Sequence, residues 1–164
     1  MPDYWLDADS LIRPHREAYQ FDMVRPFWDF LESKARDGII ASPEIVLDKE
    51  LISNSKNTDP LQEWGKGLKG ILFLPIEDQI QVCYSQVVDY VQNCGKYKQQ
   101  WVASFLDGAD PWVVAYPMAK GGNIVTFEKP QPSAKRPKIP DIADHFGLRP
   151  LTLYEMLKEL GFRL

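Results

Sequence analysis

Tyr4-Trp5-Leu6-Asp7-Ala8-Asp9-Ser10-Leu11-Ile12 begins with an apolar triplet that runs straight into acid. A short apolar run of this kind reads as a buried strand. An acid at its exit sits where the strands of an open α/β sheet face their ligands. The same pattern recurs along the chain. Residues 38–42 (Gly-Ile-Ile-Ala-Ser), 71–74 (Ile-Leu-Phe-Leu) and 124–127 (Ile-Val-Thr-Phe) read as further strands, and 151–153 as a fifth.

Helical periodicity separates these runs. Residues 25–37 place Phe27, Trp28, Leu31 and Ala35 on one face, with Pro26 in the first turn and Gly38 as the stop. Ser42-Pro43 reads as a cap and first helical position. Asp59-Pro60 repeats that signal after a polar loop at 54–58, and Asp110-Pro111 repeats it again. Pro117 interrupts the helix that follows Asp110. Residues 77–91 are amphipathic, and 97–106 form another helix. Thr152 with Glu155 makes a capping box for the last one. Residues 129–140 read as a loop with four prolines and four cations. Strands joined by helices must cross over, so the fold is α/β, with a largely parallel five-stranded sheet and helices on both faces.

At 164 residues the chain is expected to be a single domain, 1–164. Its 45% hydrophobic and 26% charged residues exclude global disorder. No apolar run approaches the ~20 residues of a membrane span. Met1-Pro2-Asp3 does not open a secretory signal, and Cys83 and Cys94 suit neither a disulfide framework nor a metal knuckle. A cytoplasmic, reducing location is expected. With 19 Lys+Arg against 23 Asp+Glu the net charge is −4, which by itself argues mildly against a nucleic-acid partner.

The distribution of the charge says more than its sum. In a parallel sheet Asp7 and Glu128 leave strands one and four at the same edge. Asp110 starts a helix, and Asp48 and Glu50 follow strand two, so four or five carboxylates can converge in one cleft. Converging carboxylates repel, and an oxygen-only set with no His or Cys suits a hard cation, Mg²⁺ or Mn²⁺. Each acid also has a simpler explanation. Asp110 can be an N-cap, Glu50 a solvated helix residue, and Glu128 a surface partner of Lys129. Trp28, Trp64, Trp101 and Trp112 sit at helical apolar positions and read as core. His15 and His145 are not placed for a zinc site.

Taken together, these residues resemble a PIN domain, in the PIN-like branch related to the toxins of toxin–antitoxin pairs. The resemblance rests on Leu6-Asp7-Ala8-Asp9-Ser10, Pro26-Phe27-Trp28, Ser42-Pro43 with Glu50-Leu51, and Asp59-Pro60-Leu61-Gln62-Glu63-Trp64. It continues through Ala109-Asp110-Pro111-Trp112, Val125-Thr126-Phe127-Glu128-Lys129-Pro130, Lys138-Ile139-Pro140-Asp141 and Leu153-Tyr154-Glu155-Met156-Leu157. It implies a three-layer α/β/α sandwich and an Mg²⁺- or Mn²⁺-dependent ribonuclease. Asp7, Glu50, Asp110 and Glu128 would be the catalytic, metal-holding acids. Asp9 would steady the first ligand, and Thr126 would supply a small hydroxyl ahead of the last. Asp48 competes with Glu50 for the second position. Lys129, Lys135, Arg136 and Lys138 would hold RNA phosphates. A protein antitoxin is the implied partner, and a homodimer is compatible with the family.

Two other functions are compatible with the same residues. Asp7-Ala8-Asp9-Ser10-Leu11 also resembles the nucleophile motif of haloacid-dehalogenase-type phosphatases, with Asp7 as nucleophile and Asp9 as general acid. Thr126, Asp141 and Asp144 would then stand for the later motifs. The third reading is a PIN-like binding module without catalysis, which would bind no Mn²⁺.

Overall fold

Strand β1 (Tyr4–Leu6) is wholly buried, and its side chains alternate between two cores. Trp5 packs with Ala41, Ile80, Ala115 and Tyr116 on one side of the sheet. Tyr4, Leu6 and Ile40 join the larger core that holds Phe27, Trp28 and Leu31 on the other. A strand covered on both faces needs the continuous apolar run seen in the sequence. The computed structural model describes residues 1–52 and 59–164. The polar loop expected at 54–58 lies outside the described residues.

After β1 come α1 (Asp9–Arg16), α2 (Arg25–Arg36), β2 (Ile40–Pro43), a π-helical turn (Val46–Leu51) and α3 (Pro60–Gly67). Then follow β3 (Phe73–Leu74), α4 (Asp78–Asn93), α5 (Gln99–Asp107), α6 (Asp110–Lys120), β4 (Asn123–Val125), α7 (Ile139–His145), β5 (Pro150–Leu151) and α8 (Leu153–Glu159). The sheet order is β3-β2-β1-β4-β5, and every pairing is parallel. The expected α/β fold, a five-stranded parallel sheet flanked by helices, is therefore what forms. Strands β2 and β3 extend the sheet to one side of β1, and β4 and β5 to the other. The order reverses between β1 and β4, which makes that gap the topological switch point where open α/β sheets bind ligands.

Several local readings change. A helical segment does open after Ser42-Pro43, at Glu44, but Ser42 and Pro43 are not its cap and first residue. Both stay in β2, where Ser42 Oγ donates to the Leu6 carbonyl at 2.7 Å and Pro43 pairs with Leu74. A hydroxyl with a buried partner on the next strand does not turn back to its own backbone. Helices α1 and α7 were not apparent. The first has Pro14 inside it, and the second carries Pro140 in its first turn, where proline is tolerated. Helix α6 runs through Pro117 to Lys120. Gly122, which precedes β4, has φ +103°, and a Cβ there would lie 2.7 Å from the Pro2 carbonyl. Only glycine fits that approach.

The capping box of α8 forms as expected. Thr152 accepts from Glu155 N–H, and the Glu155 side chain reaches back to the Thr152 backbone. Thr152→Ala should lower stability by about 1 kcal/mol, read as a shift in the urea midpoint with an unchanged slope.

Candidate active site

Asp7 is the first residue beyond β1 and is only 3% exposed. The Leu6–Val125 register sends Asp7 and Thr126 out of the sheet side by side, and Asp7 N–H donates to the Val125 carbonyl at 3.1 Å. Asp7 Oδ1 accepts from Ser10 N–H at 2.9 Å and lies 2.7 Å from Ser10 Oγ. Thr126 also hydrogen-bonds Asp7. Burial raises the Asp7 carboxyl from 3.8 to about 6. The Ser10 and Thr126 hydrogen bonds oppose that rise, and the Glu128 charge adds to it.

Thr126 joins two of the acids, because its Oγ1 also accepts from Glu128 N–H at 3.1 Å. Glu128 Oε2 in turn accepts from Ile139 N–H at 2.9 Å, at the start of α7. A carboxylate at a helix N-terminus satisfies an orphan amide and faces the positive end of the dipole. On the far side, Glu50 Oε1 lies 3.4 Å from Ala109 N–H, one residue before Asp110.

Asp110 is the centre of the group. It is the first residue of α6, and the N-cap of that helix is Ala109, so the simple N-cap explanation fails. Its carboxyl is raised from 3.8 to about 7, first by burial, then by the charges of Glu128, Asp7 and Glu50, against the opposing charge of Lys138. One carboxyl thus feels the other three predicted acids, which come from three other parts of the chain.

The choice between Glu50 and Asp48 is decided by an unusual turn. Residues Val46–Leu51 form a π-helix, whose turn holds one residue more than an α-turn. The extra residue carries Glu50 to Ala109. Asp48 is exposed and is not among the charges acting on Asp7 or Asp110. Asp9 is also displaced from its expected role. It forms an ion pair with Arg13 at 2.8 Å, four residues on along α1, and Ser10 steadies Asp7 instead. Ser10 was missed, although Asp-x-x-Ser is a pattern in which a side chain caps the amide three residues on.

The cations divide. Arg136 and Lys138 line a cleft of about 230 Å³ together with Asp110 and Glu128. Lys129 lines a neighbouring recess with Thr126 and Glu128. Lys135 is exposed, and its carbonyl accepts from Lys98 N–H at 2.9 Å. Trp28 and Trp64 are core residues, as read. Trp112 is half-buried and stacks on Tyr84, and Trp101 is half-buried on the wall of the acidic cleft. His15 bonds Phe21 N–H and Asp59, and His145 stacks on Tyr90.

Among the described residues, no group of three or more His, Cys, Asp or Glu side chains is arranged to hold a metal ion. Glu50 and Glu128 are each held by a backbone amide rather than drawn onto a common point. The donor chemistry nevertheless fits a hard cation. Four carboxylates share one edge, and half-buried Asp110 is destabilised in its charged form by the other three.

A family model described as a domain of unknown function, DUF4411, matches residues 4–164. The chain belongs to the DUF4411 family. The match runs from β1 to beyond α8 and so takes in all four acids and the cationic segment. No curated protein matches the chain.

Proposed function

We propose that this DUF4411 protein is a metal-dependent endoribonuclease of the PIN-like kind, hydrolysing RNA phosphodiesters. The observation that carries it is the position of Asp110, whose half-buried carboxyl feels Asp7, Glu50 and Glu128 at the switch-point edge of the sheet. Uncompensated acids there weaken the fold, and a divalent cation held by these four would relieve them. When bound, that cation supplies Lewis acidity: it neutralises charge on the phosphate and lowers the pKa of water.

The chain's own residues supply the positioning. Ser10 and Thr126 fix Asp7 in one orientation. The Ala109 and Ile139 amides hold Glu50 and Glu128 at either side of Asp110. Lys138 and Arg136 stand beside Asp110 and Glu128, where they can bind the phosphates that flank the cut. The net charge of −4 is then no obstacle to RNA, because the acids and the cations occupy distinct parts of one cleft. The toxin role, with a protein antitoxin covering the site and a cytoplasmic location, belongs to the same proposal on the strength of the sequence resemblance.

The phosphatase alternative loses support, since Asp9 is engaged by Arg13 and Asp141 accepts from Gln131 N–H in the cationic loop. The test presents the purified protein with RNA in Mn²⁺, in Mg²⁺ and in EDTA, alongside a chromogenic phosphate ester. RNA fragments in the divalent ions alone are expected. Hydrolysis of the ester, trapped by beryllofluoride, would establish the phosphatase instead. No cleavage and no Mn²⁺ binding by calorimetry would leave the non-catalytic module.

A further inference from the structure

We propose that Trp101 and Arg136 form a nucleobase platform at the Asp110–Glu128 side of the cleft, and that this stack, rather than charge alone, positions an unpaired nucleotide beside the acids. The proposal rests on the ribonuclease reading and extends it to how the substrate is held.

Arg136 Cζ lies 3.6 Å from the Trp101 ring centroid, which requires the guanidinium to lie over the face of the indole. The other cation–aromatic contacts among the described residues are longer, at 4.5 to 5.4 Å. Trp101 belongs to α5, whose Val102 and Phe105 are buried. Its own indole is only half-covered and faces the cleft with Ser104, Asp110, Glu128 and Lys138.

The arginine is held in place yet chemically free. Its segment is tied to the start of α5 by Lys98 N–H on the Lys135 carbonyl, and Pro137 beside it is buried. Asp141 holds the same loop further back through Gln131 N–H at 2.9 Å. Arg13, Arg25, Arg36 and Arg149 each pair with a carboxylate. Among the described residues Arg136 has no such partner, so its N–H edges remain available to a ligand.

These features select a base over a bare phosphate. A phosphate needs only a cation, which Lys138 already provides at the same cleft. An indole adds nothing for a phosphate but offers a π face to a base, directly or through the stacked guanidinium. A base inside a duplex is already stacked on both sides, so the platform serves unpaired nucleotides.

The experiment measures binding of a labelled single-stranded RNA oligonucleotide in EDTA by fluorescence anisotropy. An oligonucleotide of the same length with abasic positions is the control. Trp101→Ala should weaken binding of the intact RNA by about tenfold or more, within the range of losing one stacked base. It should leave the abasic RNA unaffected, and Trp101→Phe should recover most of the loss. Arg136→Lys keeps the charge, so it should weaken binding severalfold with the salt dependence unchanged. Arg136→Lys keeps the test valid should Trp101→Ala fail to fold. Equal binding of intact RNA by the wild type, Trp101→Ala and Arg136→Lys, or equal loss on abasic RNA, overturns the platform alone. A wild-type protein that binds no RNA overturns the ribonuclease reading with it.

Discussion

Asp7→Ala and Asp110→Ala are each expected to abolish metal-dependent RNA cleavage, with a loss on the order of 10³-fold or more, as for groups that act as one catalytic unit. Neither residue is a passive cap. Asp7 is fixed by Ser10 and Thr126, and Asp110 is not the N-cap of its helix, a position that Ala109 takes. Glu50→Ala and Glu128→Ala should also lose activity, whereas Asp48→Ala should fall within the small effects of ordinary surface substitutions. Asp48 is exposed and is not among the charges that raise Asp7 or Asp110. Single-turnover cleavage of a labelled RNA in Mn²⁺ measures all five variants. An Asp48→Ala protein as inactive as Asp7→Ala would overturn the register of that turn. Full activity in Asp110→Ala would overturn the site.

The edge of the sheet where these acids meet could be read from the sequence because strand–acid exits and helix punctuation are local signals. Asp7 after an apolar triplet and Glu128 after another needed only a parallel sheet to become neighbours, and the Leu6–Val125 register supplies that. What stayed hidden depends on partners far along the chain. Ser42 has the chemistry of an N-cap, but the Leu6 carbonyl, 36 residues away, takes its hydroxyl. The π-turn at Val46–Leu51 breaks the 3.6-residue period on which helix faces are counted, which is why Glu50 and Asp48 were equivalent in sequence. Trp101 has core periodicity, and only the return of the 129–140 segment over α5 turns its face into part of a cleft.

At pH 8 without divalent ions, Asp110→Asn should make the protein more stable than the wild type. The ordinary Asp carboxyl titrates at 3.8, and in the fold Asp110 is held up to about 7 by burial and by Glu128, Asp7 and Glu50. Between those values the folded state keeps a proton that the unfolded chain has released. Stability therefore falls as pH rises from about 4 to about 7, and the whole loss is present above 7. At about 1.4 kcal/mol per pKa unit, the shift corresponds to a loss on the order of 4 kcal/mol, reduced by any relaxation of the cluster. Removing the charge with Asn should return a few kcal/mol, and each is worth about 2–4 °C of Tm in a protein of this size. At pH 4 the two proteins should melt together. Mn²⁺ at pH 8 should raise the wild-type Tm and leave Asp110→Asn much less affected, because the cation offsets the repulsion that the substitution has already removed. A lower Tm for Asp110→Asn at pH 8 would mean that Asp110 stabilises the fold as a structural residue. A higher one means that the fold carries a buried charge at a stability cost, as sites built for chemistry do.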